Sequence, residues 1–385
     1  MKILFINPID AVRGEVFELG NHLTKVGHDI TILYPSDGKI IKSKLKAVPF
    51  KAMYLPKIHY PIPNFVNEYN LISKLVKKEE FDIIQSCDYD YLTSIPPLFF
   101  KYMANIPIVL TIDAFPGVSW FYGNTFVDSI AKIYTYSLGK FIIGSYDNIV
   151  LLNSKLISEM NALGFSGNKI HVISNGVDFS KFNPYIIELN LKERLGIGAN
   201  EKVMLFIGRL ALVKNVEIVI ELTKRLLKEN CKIKTIIIGE GEFGEYYRHL
   251  AKDVNNILFI GEVPNHEINK YYAISDLLIL PSLSEGLPNV LLEAGACGKP
   301  VVASNIFGID EVVLHGKTGF LAEPNNLDSF AYYVKLILND EQLAKDFGIN
   351  AYKHIKAKFD WGLITKDYEK MFTQLLEKKS QKKIC

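Results

Sequence analysis

Two carboxylates eight positions apart flank a stretch that could seat a phosphate group. Glu285 follows the apolar run Leu277–Leu280, and Glu293 lies in a helical pattern that begins at Pro288. A helix rises about 1.5 Å per residue, so the two carboxylates would stand on either side of the helix N-terminus. Because N–H groups and the positive dipole end favour phosphate there, we expect a diphosphate at this helix start, with hydroxyl-bearing groups beside it.

Two cations follow the first predicted strand of the second half, 203–207. Arg209 can fork two phosphate oxygens, and Lys214 adds a point charge. Loops at the carboxyl edge of a parallel sheet are where α/β proteins bind ligands. By themselves the two cations are also compatible with ordinary surface residues.

The order and spacing of these residues resemble the retaining family 4 glycosyltransferases of GT-B fold. The resemblance rests on E-x7-E at 285–293, whose first Glu lies in P-S-x-x-E-G-L-P at 281–288, and on G-R-L-x-x-x-K at 208–214. It implies that Glu285 faces the donor sugar, that Glu293 takes the ribose hydroxyls, and that Arg209 and Lys214 neutralise the donor diphosphate. The implied reaction transfers a hexose from a UDP-sugar or GDP-mannose to a saccharide or lipid-linked acceptor, with no metal and no cofactor besides the donor.

The resemblance also implies a turn under the nucleotide at Gly241 and a base contact near Val263. The same turn, 239–244, matches G-x-G-x-x-G, so a dehydrogenase that binds NAD is an alternative. That fingerprint belongs to the first βα turn of a domain, whereas this one follows the second strand. The implied donor-binding residues are Arg209, Lys214, Gly241, Val263, Glu285, Gly286, Leu287, Pro288, Asn289 and Glu293.

Two places depart from the family pattern. Asp113 stands where many relatives carry histidine, and we expect it to join the catalytic residues by hydrogen-bonding a sugar hydroxyl. The first turn, 7–14, keeps one glycine of the usual pair, with Arg13 as a weak phosphate candidate. These departures leave open a binding protein whose active site has decayed. The sequence D-Y-D at Asp88–Asp90 is expected to cap a helix.

Short apolar strands alternate with helical patterns through both halves, which predicts two tandem Rossmann-like domains. The resemblance implies that they face each other across a cleft. We predict an acceptor domain over 1–182 and a nucleotide-sugar domain over 183–359. The final helix, 360–385, is expected to cross back to the first domain.

The composition is that of an ordinary globular protein and does not indicate nucleic acid as a partner. The 385 residues carry a formal charge of +2, with 22% charged and 49% hydrophobic residues. Four scattered cysteines show neither metal nor disulfide spacing. The apolar runs are shorter than the roughly 18 residues of a membrane span, so a cytoplasmic protein is expected.

A basic segment, Lys39–Lys57, contains six lysines, and no acid lies between Asp37 and Glu68. With its aromatic residues, it suits peripheral contact with the anionic inner face of a membrane or a lipid pyrophosphate. A solvated lysine-rich excursion explains it equally well. The aromatic residues Phe115, Trp120, Phe121 and Tyr122 fit a core, an acceptor platform or a membrane-facing ridge.

Overall fold

The structure, a computed structural model, describes residues 1–9, 14–36, 43–55, 60–188 and 190–384. The chain divides into two compact units. The first unit joins Met1–Gly176 to Trp361–Cys385, and the second is Val177–Asp360. The predicted first boundary lay at residue 182, six positions later than the division that the contacts show.

The first unit alternates strands and helices from its first residues. A 3₁₀ turn, Leu92–Ser94, precedes α3, and a π-helical turn, Thr135–Gly139, separates α4 from α5. The elements are β1 Lys2–Ile6, α1 Gly14–Lys25, β2 Asp29–Ser36, β3 Lys46–Leu55, β4 Tyr60–Pro63, α2 Phe65–Lys78, β5 Ile83–Cys87, α3 Pro97–Met103, β6 Ile108–Ile112, α4 Thr125–Tyr134, α5 Lys140–Ser145, β7 Asn148–Leu151, α6 Leu156–Ala162 and β8 Ile170–Val172.

Within the described residues these strands form one eight-stranded sheet in the order β4-β3-β2-β1-β5-β6-β7-β8. Neighbouring strands are parallel except β3 and β4, which pair antiparallel. The central strands are almost continuously apolar because a parallel sheet is covered on both faces. The carboxyl ends of β5 and β6 lie side by side, since Cys87 pairs with Thr111.

The second unit repeats the alternation with a shorter set of strands. Its elements are α7 Leu191–Arg194, β9 Lys202–Ile207, α8 Val216–Lys228, β10 Ile233–Ile238, α9 Gly244–Leu250, β11 Ile257–Gly261, α10 Ile268–Ile274, β12 Leu277–Leu280, α11 Asn289–Ala296, β13 Val301–Ser304, β14 Gly319–Ala322, α12 Leu327–Asn339 and α13 Glu341–Lys358. The strand order of the sheet, β11-β10-β9-β12-β13-β14, is that of the Rossmann fold.

The last helix, α14 Trp361–Ile384, belongs to the first unit, as the resemblance implied. Its apolar side chains recur every three or four residues, which places them on one face of the helix. That face joins a core built by α1 and the apolar face of the sheet. The residues of α14 in this core are Trp361, Ile364, Tyr368, Met371, Phe372 and Leu375.

The sequence patterns missed several elements. Strand β3 was read as a basic surface segment because lysines and Pro49 interrupt its apolar residues, yet Phe50 is buried in it and Lys46 is paired with Glu79. Phe115 is also fully buried, so it belongs to the core. Positions 37–42 and 56–59 of the basic region lie outside the described residues.

The helices do not include a membrane-spanning candidate within the residues described. None of them combines the length and the continuous apolarity that crossing a bilayer requires.

The packing of α14 is testable through fluorescence, because both tryptophans, Trp120 and Trp361, lie in the first unit. Phe372 is fully buried in the core, so Phe372→Ala should lower the free energy of unfolding of this unit by about 3–5 kcal/mol. Leu363→Ala, at an exposed position of the same helix, should change it by less than about 0.5 kcal/mol. Urea titration followed by tryptophan fluorescence measures both. Equal effects would contradict this packing.

Candidate functional site

The second unit has a switch point between β9 and β12. From β9 the chain proceeds to β10 and β11 on one side, and the later strands β12, β13 and β14 continue on the other. Strands β9 and β12 are paired, with Leu205 opposite Leu278. Because the loops after these two strands leave in opposite directions, a crevice opens at the carboxyl edge, the usual ligand position in such sheets.

The loop after β9 carries the predicted cations and ends in a short 3₁₀ turn, Leu212–Lys214. Asn215 closes the turn in the left-handed conformation, with φ of 52°, and α8 begins at the next residue. The loop after β12 is tied to this turn by a backbone hydrogen bond, since the Leu283 N–H donates to the Val213 carbonyl at 2.7 Å. This hydrogen bond holds the two loops against each other.

The same two loops bring Lys214 and Glu285 together. Lys214 Nζ lies 2.6 Å from Glu285 Oε1. Glu285 is 6% exposed, and the Lys214 side chain is 23% exposed. A carboxylate this buried requires a charged or hydrogen-bonding partner, and Lys214 provides one. Two residues that were predicted from separate sequence motifs are therefore in direct contact.

A third loop packs against the backbone next to Glu285. Gly308, after β13, has φ of 83°, and a Cβ there would lie 1.7 Å from the carbonyl oxygen of Gly286. Only glycine fits so close to a backbone carbonyl. Gly308 was missed, because a single glycine in a loop carries no sequence signal of what it touches.

Arg209 lies in the same loop as Lys214 but in a more open environment. Its Nε donates to Glu242 Oε2 at 3.0 Å, and the two side chains are 48% and 39% exposed. An exposed pair of this kind contributes about 0–1 kcal/mol. The guanidinium can therefore exchange this partner for another anion at low cost. Sequence reasoning missed Glu242 as its partner.

The glycines of the 239–244 turn are explained by contacts within the protein. A Cβ on Gly239 would lie 2.0 Å from the Gly208 carbonyl oxygen, and one on Gly241 would lie 2.6 Å from that of Leu210. The Leu210 N–H donates to the Glu240 carbonyl at 3.0 Å. The turn thus supports the loop that carries Arg209, which accounts for the G-x-G pattern without a dinucleotide.

Glu293 is held by a residue that the sequence did not single out. The Tyr272 hydroxyl donates to Glu293 Oε2 at 2.9 Å and lies 3.1 Å from the Val290 carbonyl oxygen. Burial, with the nearby Glu293 carboxylate, raises the pKa of Tyr272 well above its ordinary value. The tyrosine hydroxyl therefore keeps its proton and serves as a donor beside Glu293.

The segment between the two carboxylates begins a helix, one residue later than predicted. Pro288 has an extended backbone, with ψ of 110°, and serves as the N-cap, so α11 starts at Asn289. Gly286, Leu287 and Pro288 are buried in the loop that precedes it. The first N–H groups of such a helix are not used by its own hydrogen-bond ladder.

Val263 lies in a further loop at the same edge of the sheet. It follows β11 and is half-buried. Gly261, with φ of 79°, accepts a hydrogen bond from the Gly239 N–H at 2.8 Å. The loop of Val263 is therefore fixed to the glycine turn. The structure thus places nine of the ten predicted donor-binding residues in loops or at a helix start at the carboxyl edge of one sheet, and the tenth, Glu293, lies within α11.

Asp113 belongs to the first unit and has its own surroundings. It follows β6, and its N–H donates to Asp88 Oδ1 at 3.1 Å. Asp88 follows β5, is buried, and has φ of 57°. A left-handed aspartate is strained and is commonly found at functional sites. Asp88 does not take the capping role predicted for the sequence Asp88–Asp90, because its carboxylate accepts from Asp113 and the N-cap position of the following 3₁₀ turn is Tyr91.

Asp88 and Asp113 line a small cavity with other polar side chains, Gln85 and Thr111 among them. Gln85 donates to Thr111 Oγ1 at 2.8 Å, while its buried Oε1 has no hydrogen-bond partner among the described residues. This cavity can accept a hydroxyl group. Arg13 lies outside the described residues, so its predicted role stays a prediction.

The Lys214–Glu285 contact is testable by a double-mutant cycle in the second unit. Lys214→Met, Glu285→Gln and the double variant should give a coupling energy of about 1.5–3 kcal/mol, since a hydrogen bond between charged groups is largely buried there. The Glu221–Lys224 pair on α8, at 2.7 Å, should give about 0.3–0.5 kcal/mol in a matched cycle. Calorimetric unfolding measures both. Similar couplings would contradict the assignment.

The glycine turn is testable by adding one methyl group. Gly241→Ala would place a Cβ against the Leu210 backbone. The free energy of unfolding should therefore fall by about 1–3 kcal/mol, and the melting temperature should fall with it. Gly198→Ala is the control, because its nearest neighbour is the Glu201 side chain at 3.3 Å. Differential scanning calorimetry reports the change. A Gly241→Ala variant as stable as the control would show that the turn does not support the loop.

Comparisons with known proteins identify the family of both units. Residues 188–354 match the family "Glycosyl transferases group 1", and residues 16–181 match "Glycosyltransferase Family 4". The UDP-Gal:alpha-D-GlcNAc-diphosphoundecaprenol alpha-1,3-galactosyltransferase of Escherichia coli is 30% identical over 307 residues, which are 76% of each chain.

Solved structures show the same fold. Sucrose-phosphate synthase from Thermosynechococcus elongatus superposes with a TM-score of 0.83 over 98% of this chain and all of its own, at 17% identity. HepE from Anabaena, in complex with UDP and glucose, gives 0.78 over 97% of this chain and 100% of its own, at 20% identity. Another HepE structure contains UDP-glucose. With two Rossmann-like units and these matches along both, the chain belongs to the group 1, family 4 glycosyltransferases of GT-B fold.

Proposed function

We propose that this glycosyltransferase moves a hexose, with retention of configuration, from a nucleoside diphosphate sugar to a hydroxyl of a saccharide or lipid-linked glycan. The observation that carries the proposal is the Lys214–Glu285 pair at the switch point, with Arg209 in the same loop. A leaving diphosphate needs cations, and a sugar needs a fixed hydrogen-bond acceptor. Both kinds of group stand on the two joined loops.

A UDP-sugar is the favoured donor. The E. coli relative carries UDP-Gal in its name, and the HepE structures contain UDP or UDP-glucose. GDP-mannose is the second candidate, because the loop of Val263 offers backbone groups that do not distinguish bases by side-chain chemistry. The acceptor named for the E. coli relative is a diphosphoundecaprenol-linked sugar, which supports a lipid-linked acceptor here.

The two cations would stabilise the negative charge that grows on the departing diphosphate. Arg209 can donate two parallel hydrogen bonds to phosphate oxygens after leaving its exposed partner Glu242. Lys214 has three N–H donors, so it can keep Glu285 and still donate to phosphate. Such pre-positioned charge costs no reorganisation during the reaction. We therefore propose that transfer needs no metal ion.

The carboxylates would bind the two sugars of the donor. Glu285 has one oxygen on Lys214 and a second that can accept from hydroxyl groups of the transferred hexose. Glu293, fixed by Tyr272, would accept from the ribose hydroxyls. Asp113, held at its backbone by Asp88, would bind a sugar hydroxyl in the first unit. Each carboxylate thus accepts while another group keeps it in place.

Retention would follow from substitution on one face of the sugar. The bond from the anomeric carbon to the phosphate oxygen breaks, and the bond to the acceptor oxygen forms on the same side. The proton of the acceptor hydroxyl passes to the departing phosphate oxygen. Glu285 orients the sugar and does not attack carbon. The proton needs no further base, since the leaving group accepts it.

Donor binding gives the first test. Titration calorimetry with UDP and GDP, each with EDTA and with magnesium, should show metal-independent binding of one of them. Arg209→Ala should weaken that binding about tenfold or more, because a charge-assisted hydrogen bond contributes about 1.5–3 kcal/mol. Arg225→Ala, at an exposed arginine on α8 of the same unit, should leave the affinity unchanged.

Several outcomes would overturn the proposal. Binding of NAD in place of any nucleoside diphosphate would favour a dehydrogenase. Nucleotide binding that strictly requires magnesium would contradict the proposal that no metal ion is needed. Tight binding of nucleotide sugar with neither transfer nor hydrolysis would indicate a binding protein with a decayed site.

A further inference from the structure

Helix α2 places a carboxyl group in the core of the first unit. Glu68 is 0% exposed, and with Ile72 and Leu75 it forms the buried stripe of the helix, at spacings of four and three residues. Phe65 and Val66, in the same turn, are 40% and 70% exposed. A surface helix normally turns apolar residues to the core and charged residues to solvent. The first turn of α2 does the reverse.

Hydrogen bonds fix the start of α2, so the helix is held in one rotational setting. The Asn64 side chain accepts from the Asn67 N–H at 3.0 Å, which makes Asn64 the N-cap. The Asn67 side chain in turn accepts from the Lys51 N–H on β3 at 2.8 Å. The cap therefore ties α2 to the neighbouring strand, and Glu68, the next residue, is turned inward.

Glu68 has no group that could hold a negative charge in place. Within the residues that the structure describes, neither of its carboxyl oxygens has a hydrogen-bond partner. An isolated carboxylate is too costly to bury, so it takes up a proton instead. Burial therefore raises the pKa of Glu68 well above its usual value. Glu285, which is almost as buried, differs because Lys214 supplies a charged partner at 2.6 Å.

The N-terminus of α2 does not compensate for the burial. Free N–H groups and the helix dipole usually favour a carboxylate in the first turn. In α2 the capping acceptor is Asn64, and the Glu68 N–H already donates to the Asn64 carbonyl at 2.9 Å. The carboxyl oxygens of Glu68 accept from none of the described N–H groups.

The lysines on the elements that pack against α2 are engaged elsewhere or exposed. Lys46 on β3 pairs with Glu79, and Lys101 on α3 lies 2.9 Å from Asp147 Oδ1. Lys51 on β3 is exposed. These cations therefore leave the inner side of α2 without a positive charge.

Tyr146, which follows α5, faces Glu68 from the inner side of α2. Its buried hydroxyl donates to the Ser94 carbonyl at 2.7 Å. Burial raises the pKa of Tyr146 above its ordinary value, and a charge on Glu68 would raise it further. The buried thiol of Cys87, on β5, lies near the same tyrosine. Both groups are neutral when protonated, so neither stabilises an ionised Glu68.

We propose that Glu68 is a proton-operated switch in the first unit, so that α2 packs fully on the sheet only while this carboxyl carries its proton. Ionisation puts a charge without a partner into the core, and unpacking the helix returns that charge to water. The stabilisation is fully present below the pKa that Glu68 has in the unfolded chain, about 4.3. It is lost as the pH rises through the raised pKa of the folded chain, and the loss then levels off. The switch is separate from the donor site in the second unit.

Urea unfolding at a series of pH values from about 5 to about 8 tests the switch. Tryptophan fluorescence follows it, because both tryptophans belong to the first unit. The unfolding equilibrium constant of the parent chain, relative to that of Glu68→Gln, should rise by up to about tenfold per pH unit, since unfolding releases one proton. Glu68→Met, with an apolar side chain of similar length, should behave as Glu68→Gln does. Glu80→Gln, at an exposed acid just after α2, is the matched control and should keep the pH dependence of the parent chain.

Infrared spectroscopy in D₂O gives a second readout on the folded chain. A protonated carboxyl has a C=O stretch that is separate from the bands of carboxylates, and the parent chain should show it at neutral pH. Glu68→Gln and Glu68→Met should lose the intensity of one carboxyl group. The proposal is overturned if the parent chain lacks this band, or if the ratio of unfolding constants does not change with pH.

The parent chain alone decides the matter if neither variant folds. Its carboxyl band must then be present at neutral pH and disappear as the pH is raised, and a band that is absent or constant overturns the proposal. Nucleotide affinity, measured in parallel, reports on the proposed function and not on this switch.

Discussion

The contact between Lys214 and Glu285 joins the two loops that leave the second sheet in opposite directions. It makes a buried carboxylate tolerable, and it keeps a lysine at the point where the crevice opens. The neighbouring features all maintain it. The backbone bond between Leu283 and Val213 fixes the loops to each other, and Gly308 closes against Gly286. The glycine turn at 239–244 in turn supports the loop that carries Arg209.

The positions of the predicted donor-site residues were accessible to sequence analysis because each motif is local, and their proposed roles come from the resemblance. Arg209 and Lys214 follow one strand, and Glu285 and Glu293 follow another, so spacing alone places them at the sheet edge. Their partners were not accessible. Tyr272 reaches Glu293 across 21 positions and Glu242 reaches Arg209 across 33, and no periodicity relates such pairs. The sequence Asp88–Asp90 was assigned to a helix cap, whereas the carboxylate of Asp88 accepts from the backbone of Asp113 in the next loop.

The fold was predictable where strands are continuously apolar, as in the centre of both sheets. Strand β3 was missed because its lysines and proline do not give the pattern of a buried strand. The apolar spacing around 126–141 did predict helix, and the structure adds a π-helical turn within it. The spacing of the apolar residues could not show whether their face of the helix points to the core or to solvent. A stripe shows that one face differs from the other, but only the packing of Asp128 and Tyr134 shows that the apolar face of α4 points outward.

The most direct test of the central claim is amide hydrogen exchange, followed by mass spectrometry, with and without the nucleoside diphosphate that binds. If the loops joined by Lys214 and Glu285 hold the diphosphate, protection should appear in 208–215, 239–244 and 282–290. Peptides of the first unit around 88–113 should exchange as before. Protection confined to the first unit, or absent from 208–215 and 282–290 at saturating nucleotide, would contradict the account.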